Sequence, residues 1–366
     1  MANQFYIGLM SGTSLDGVDA VLVNFENNDF KLLAHHFLPY SDTLRAGVLA
    51  LQRPTENELE QAQVLSQQLT LLYADAVNCL LTKSKYSSKD VVAIGCHGQT
   101  LRHRPELGFT LQLANPALLS EKTGINIVND FRSRDIAVGG QGAPLVPAFH
   151  QVLFGHSQNN RTIINIGGIA NITYLPNVGD IIGFDSGTGG ILMDAWIAKR
   201  LGKAYDANGD WAASGELKQG LLSSLQADPF FKQPPPKSTG RDLFSLNWLE
   251  QHLHKFDDFK PEDVQRTLLE LTAVSLTEAI HAHCKDTDEV FVCGGGAFNR
   301  TLIERLKQLL KPIPIKLTSE LGLDEQLVEA SAFAWLAKQT MQLSTSNIIS
   351  VTGAKFARIL GSVTYY

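Results

Sequence analysis

Three glycine-rich stretches, each directly behind an apolar, strand-like run, constrain this chain more than any other feature. They are Gly8-Leu9-Met10-Ser11-Gly12-Thr13-Ser14-Leu15-Asp16-Gly17, Gly183-Phe184-Asp185-Ser186-Gly187-Thr188-Gly189-Gly190 and Cys293-Gly294-Gly295-Gly296-Ala297-Phe298-Asn299. Glycine lets a backbone approach a ligand closely, and successive N–H groups in a tight turn form a concavity that favours anions. The first two stretches add hydroxyls and an acid among the glycines. Two such loops from opposite halves of a chain point to a nucleotide phosphate tail held in a cleft between two domains.

The pattern around these loops repeats. Residues 5–9, 18–25 and 31–38 read as three consecutive strands, an antiparallel meander with the first loop at the tip of its first hairpin. Residues 57–81 carry Leu59, Ala62, Leu65, Leu69, Leu72, Ala76 and Leu80 at helical spacing, without proline. Short strands follow at 91–96 and 125–129. After Gly139-Gly140-Gln141-Gly142-Ala143-Pro144 the pattern restarts, with a second meander at 162–166, 172–175 and 181–184. Helices are expected at 190–201, 261–283, 299–310 and 326–339, and strands at 289–293 and 313–317. Residues 231–241, with Pro234-Pro235-Pro236, read as a loop. The fold class is therefore α/β, an old duplication in which each half is a mixed sheet with helices on its faces. The expected division is residues 1–133 plus 341–366 for the N-terminal domain and 134–340 for the C-terminal one.

Composition narrows the function classes. A length of 366 residues predicts about two domains, and 44% hydrophobic content is ample for their cores. A formal charge of −6 argues against a nucleic-acid partner, which would call for a basic stripe. No apolar run approaches the ~20 residues that span a bilayer, so no membrane association is expected. The start, Met1-Ala2-Asn3-Gln4, is no secretory signal. The four cysteines, Cys79, Cys96, Cys284 and Cys293, show no CxxC spacing and suggest neither a zinc site nor a disulfide framework. A reducing cytoplasm is the simplest location.

Candidate chemistry sits on the loops. The first offers N–H groups, the hydroxyls of Ser11, Thr13 and Ser14, and Asp16, a magnesium ligand directly or through water. The competing reading is a plain hairpin turn on Asp16-Gly17. A Walker A ending is absent. Asp185 stands at the end of an apolar strand, where an acid can act as general base in phosphoryl transfer; the competing reading is helix capping by Asp185 or Ser186. The turn at 293–299 can lie flat against an adenine ring or ribose, or simply make a tight strand–helix turn. His97 and Gln99, in Gly95-Cys96-His97-Gly98-Gln99-Thr100, can bind sugar hydroxyls, although a lone histidine is often structural. Arg132 and Arg134 follow a strand, and either can fork onto a substrate carboxylate while the other pairs with Asp130 or Asp135. Glu329 opens the last helix, an ordinary place for dipole compensation.

Together these residues resemble the superfamily of sugar kinases, actin and heat-shock chaperone ATPases. More narrowly, residues 8–19, 96–100, 129–147, 165–171, 184–190, 293–299 and 329–337 resemble, in order, the anhydro-N-acetylmuramic acid kinase family. The resemblance implies a two-domain actin-like (ribonuclease H-like) fold and a homodimer. It implies hydrolytic opening of 1,6-anhydro-N-acetylmuramic acid with phosphorylation of O6 by ATP and Mg2+, in peptidoglycan recycling. On this resemblance, ATP contacts are expected at Gly12, Thr13, Ser14, Leu15, Asp16, Gly17, Val18 and Asp19, at Asn165, Gly167, Gly168, Gly187 and Gly189, and at Gly294, Gly295, Gly296 and Asn299. Asp185 is the expected catalytic base, and His97, Gln99, Arg132, Arg134 and Glu329 are the expected amino-sugar contacts. One departure is visible: Thr188 stands where the family often has proline, and its hydroxyl offers an extra phosphate contact. The alternatives are a conventional sugar kinase acting on a free hydroxyl and a non-kinase ATP-driven binding module.

Overall fold

The computed structural model describes residues 4–12, 14–26, 30–256 and 259–366. Thr13, expected in the first loop, lies outside the described residues. The chain divides into two compact units, Met1–Phe149 with Leu327–Tyr366, and His150–Gln326. The sequence places these boundaries at 133/134 and 340/341. They fall elsewhere because helix Val328–Met341 packs on the strands of the first unit. Asp135 is also tied by hydrogen bonds to Asn347 and Thr352 of the C-terminal segment.

The first unit contains β1 (Phe5–Met10), β2 (Gly17–Asn24), β3 (Lys31–Pro39), β4 (Val91–Cys96), β5 (Gln99–Arg104), β6 (Phe109–Leu113) and β7 (Ile127–Asn129). Its main sheet runs β3-β2-β1-β4-β7, with Ser362–Thr364 closing the far edge. The meander β1-β2-β3 is antiparallel, and β4 and β7 add in parallel. The β5–β6 pair is a separate hairpin, which the sequence reading lacked. Helix Glu58–Ser84 buries Leu65, Leu69, Tyr73, Val77 and Leu80, a stripe at helical spacing.

Helix Val328–Met341 lies unusually close to this sheet. Gly8 and Gly95 are paired neighbours on β1 and β4. A Cβ on Gly8 would fall 1.8 Å from the Ala330 carbonyl oxygen, and one on Gly95 would fall 2.0 Å from that of Phe333. The helix meets them with Ala330, Ala334 and Ala337, all buried. Small residues on both sides bring backbone against backbone, so the helix has one possible seat.

The second unit repeats the plan. Its strands are β8 (Arg161–Ile166), β9 (Ile169–Leu175), β10 (Ile182–Thr188), β11 (Glu289–Cys293) and β12 (Ile315–Leu317), in the order β10-β9-β8-β11-β12. Again three antiparallel strands are extended by two parallel ones. Strand for strand this is the order and sense of the first unit, an actin-like (ribonuclease H-like) sheet made twice. Helix Pro261–His283 starts at its proline, whose missing N–H costs nothing at a first helical position. It buries Leu268, Leu269, Leu271 and Leu276. The loop expected at 231–241 begins after the short helix Pro229–Lys232. All four cysteines are free.

Gly8→Ala is expected to lower stability by about 1–3 kcal/mol through overpacking, or more if the helix is unseated. Gly240→Ala, where a Cβ meets nothing within 4 Å, is the control. Thermal unfolding of the two variants checks this, and equal melting temperatures would contradict the seat.

Candidate active site

In the first unit the loop after β1 rests on a buried hydroxyl network. The Ser11 hydroxyl donates to the Gly98 carbonyl at 3.1 Å and lies 2.9 Å from the Tyr73 hydroxyl. Tyr73 reaches Tyr40 at 3.2 Å, and Tyr40 donates to Gln99 Oε1 at 3.2 Å. Gln99 Nε2 then donates to the Gly12 carbonyl at 3.3 Å. Burial raises both tyrosine pKa values above the usual phenol range, so the network stays uncharged. Gln99 is buried, and each end of its amide makes a hydrogen bond beneath the loop, so it supports the loop from below. Leu15 and Val18 turn their side chains into the core, leaving only backbone for a ligand. The Asp16 side chain is exposed at the loop tip, while Asp19 lies 2.9 Å from His35 Nε2.

His97 leaves the end of β4 and is buried, its ring packed on Phe333 at 4.7 Å between centroids. Its Nε2 lies 2.8 Å from Arg132 Nη2. A guanidinium can only donate, so Nε2 accepts and the imidazole is neutral, with its proton on Nδ1. Burial, reinforced by the Arg132 charge, pushes the His97 pKa well below the usual value. The other arm of Arg132 donates to the Gly142 carbonyl at 2.8 Å. A cavity of about 140 Å³ is lined by His97, Thr110, Gln112, Asn129, Asp130 and Ser133, among others. Glu329 is half-buried in the first turn of its helix, four residues before Phe333 and so on the same face. The structure thus gathers His97 and Arg132 in one unit and puts Glu329 one helical turn from the ring under His97. Arg134, by contrast, is exposed. Asp130 accepts from Ser133, and Asp135 from the Gly142 N–H, Asn347 and Thr352.

In the second unit the glycine turns lock together. The N–H groups of Gly189 and Gly190 donate to the carbonyls of Gly168 and Gly167, at 2.9 and 2.8 Å. Gly294 sits against Asn165, where a Cβ would lie 2.3 Å from Oδ1, whereas Gly295 faces open space. Asn299 caps helix Arg300–Leu309, its Oδ1 accepting from the Leu302 N–H at 3.0 Å.

Asp185 lies on β10 at a bulge against β9. Its Oδ2 accepts from the Thr239 N–H at 2.9 Å and the Ser238 hydroxyl at 3.1 Å, and its own N–H donates to the Lys237 carbonyl at 3.1 Å. Helix Ile191–Leu201 takes Gly190 as N-cap with no side-chain cap bond, and the Ser186 hydroxyl donates to the Ala170 carbonyl. Capping therefore does not account for Asp185 or Ser186. The extra phosphate contact expected of Thr188 is also overturned: its hydroxyl is buried 3.4 Å from that of Thr272 on helix Pro261–His283. Sequence reasoning missed Lys237, Ser238, Thr239, Tyr40 and Tyr73. Two hydroxyls directly after three prolines and a lysine were a readable signal for the first group; the tyrosines carried none.

A sheet made twice on the actin-like plan, with glycine turns at its strand ends, places the chain in the actin-like ATPase class of folds. The family model for anhydro-N-acetylmuramic acid kinase matches residues 4–366. The protein of that description from Nitrosomonas europaea is 52% identical over 98% of this chain and 99% of its own length. That from Nitrosospira multiformis is 53% identical over 99% of each, and that from Pseudomonas fluorescens 48% identical over 98% of each. Likeness to solved structures is lower: a 2-hydroxyisocaproyl-CoA dehydratase activator from Clostridium difficile, with bound ADPNP, covers 92% of this chain and 97% of its own at 13% identity and a TM-score of 0.49. The chain belongs to the anhydro-N-acetylmuramic acid kinase family.

His103, beside His97, sets a measurable pH dependence. Burial, then the Arg132 charge, pushes its pKa from 6.5 down to about 4. Between these values the unfolded chain binds a proton that the native state refuses, so stability falls as pH drops from 6.5 to about 4. Urea unfolding across this window should show the fall, and His103→Gln should reduce it. A variant with an unchanged slope would contradict a neutral, half-buried His103.

Proposed function

We propose that this enzyme uses ATP and water to convert 1,6-anhydro-N-acetylmuramic acid into N-acetylmuramic acid 6-phosphate and ADP, with Asp185 as the general base. The family match over residues 4–366 carries the reading. The hydrogen-bonded hold on Asp185 supports its role, because a base must be fixed in direction before it can take a proton from a chosen water.

Asp185 removes one proton from water as the hydroxide attacks C1 of the sugar. The C1–O6 bond breaks, and its electron pair stays on O6. O6 attacks the γ-phosphorus, the bond to the β-phosphate oxygen breaks, and ADP leaves. Asp185 then returns its proton to solvent. His97 is neutral and offers its Nδ1–H as a donor toward a sugar hydroxyl, held in that tautomer by Arg132. Arg132 supplies positive charge for the lactyl carboxylate, and Glu329 orients the ring hydroxyls. The N–H groups of the loop at 11–16 and of the turns in the second unit bind the phosphates. The exposed Asp16 carboxylate makes no hydrogen bond or ion pair among the described residues, which fits a site for magnesium through a water. When bound, that ion neutralises phosphate charge.

ADP release is measured with anhydro-N-acetylmuramic acid, N-acetylmuramic acid, N-acetylglucosamine and glucose. Turnover should be confined to the first, with solvent oxygen-18 entering at C1. Asp185→Asn should bind nucleotide normally and lose about 10²–10⁴ in turnover. Turnover on N-acetylmuramic acid without solvent label would replace this reading with a conventional kinase, and an active Asp185→Asn would remove the base.

The two arginines separate by exposure. Arg132→Ala should raise the KM for the sugar about tenfold or more, as expected for loss of a charge-assisted hydrogen bond. Arg134→Ala should leave it within twofold. Steady-state kinetics on both variants check the assignment, and the reverse pattern would overturn it.

A further inference from the structure

We infer that Lys237-Ser238-Thr239 is a positioning latch for Asp185, with Ser238 the side chain that aims the carboxylate. The inference rests on Asp185 being the base. Three hydrogen bonds join the segment to this one residue, and they come from both sides of it. The Asp185 N–H donates to the Lys237 carbonyl, which fixes the strand edge. The Ser238 hydroxyl and the Thr239 N–H both donate to Oδ2, at 3.1 and 2.9 Å. Two donors converging on the same oxygen fix the plane of a carboxylate as well as its position, since rotation about the side chain would break both. A general base needs that, because its reach to a proton is set within a few tenths of an ångström.

The latch is anchored at its other end. Lys237 is buried, and its Nζ donates to the carbonyl of Phe230 at 3.1 Å while lying 4.5 Å from that ring. These contacts hold it to helix Pro229–Lys232, whose Phe230 carbonyl also accepts from the Gln233 N–H. The same helix braces β10 directly: the Phe231 ring occupies the place where a Cβ on Gly187 would be, 2.7 Å away. Phe230 and Phe231 pack in turn on Phe244. Pro234, Pro235 and Pro236 shorten the conformational range of the link between helix and latch. A buried lysine would ordinarily be left out of such a place. Burial lowers its pKa, and the nearby Asp185 charge offsets part of that fall. Asp185 is thus held through a short chain of contacts whose far end is a packed aromatic cluster of the same unit.

The test is a double-mutant cycle on the full-length enzyme with ATP and anhydro-N-acetylmuramic acid. Ser238→Ala should lower kcat roughly tenfold or more, with the KM for both substrates within twofold. Ser238→Thr, which keeps the hydroxyl, should restore most of kcat. In an Asp185→Asn background, Ser238→Ala should cost less than twofold, because the latch acts only through the carboxylate. Melting temperatures within a few degrees of the parent show that the fold is intact. An unchanged kcat in Ser238→Ala, or an equal loss in both backgrounds, overturns the latch and leaves Asp185 as base untouched. Near-normal turnover in Asp185→Asn alone would instead sink the base assignment.

Discussion

The seating of helix Val328–Met341 on Gly8 and Gly95 organises the first unit. No side chain separates the helix backbone from the two strands, so the helix can neither rotate nor slide without a collision. Phe333 is then fixed beneath His97, and Glu329 is fixed one turn away. In the proposed function His97 and Glu329 take part in recognition, and what they rest on is a helix seated backbone against backbone. The alanines and glycines concerned look featureless in isolation, yet they set where the charged residues stand.

The second unit solves the same problem by different means. Its glycine turns are locked to one another by backbone hydrogen bonds, and its Asp185 carboxylate is held by a loop and not by a helix. This division suits the proposed chemistry. Phosphates are bound by N–H groups, which need only a rigid backbone, while a base must be aimed and so needs donors of its own. On the proposed function, the duplicated sheet carries two kinds of site, one for recognising polar groups and one for moving a proton.

Much of this was legible in the chain. Strand Val91–Cys96 and helix Pro261–His283 lie where their apolar spacing puts them, because burial of one face needs that period and no other information. Asp185 was conspicuous as an acid at the end of an apolar strand, next to glycines that capping alone would not need. The β5–β6 hairpin was not legible: Gln99-Thr100-Leu101-Arg102-His103-Arg104 lacks a clean alternation, and its pairing depends on a partner strand. The support that Gln99 gives the loop was not legible either, since nothing local says that an amide will lie under a turn between Tyr40 and Gly12. Thr188 was misread for the same reason, its hydroxyl meeting a helix far along the chain.

The amino-acid sequence determined the periodicity of the strands and helices, the duplication, and the glycine stretches where ligands can approach backbone. These follow from short-range rules: hydrophobic spacing and the steric freedom of glycine. Only the tertiary structure decided which arginine sits beside His97, which tautomer that histidine adopts, and that Ser238 and Thr239 hold Asp185. Those depend on atoms that meet across long stretches of chain, and hydrogen-bond direction and burial are properties of such meetings, not of any residue alone.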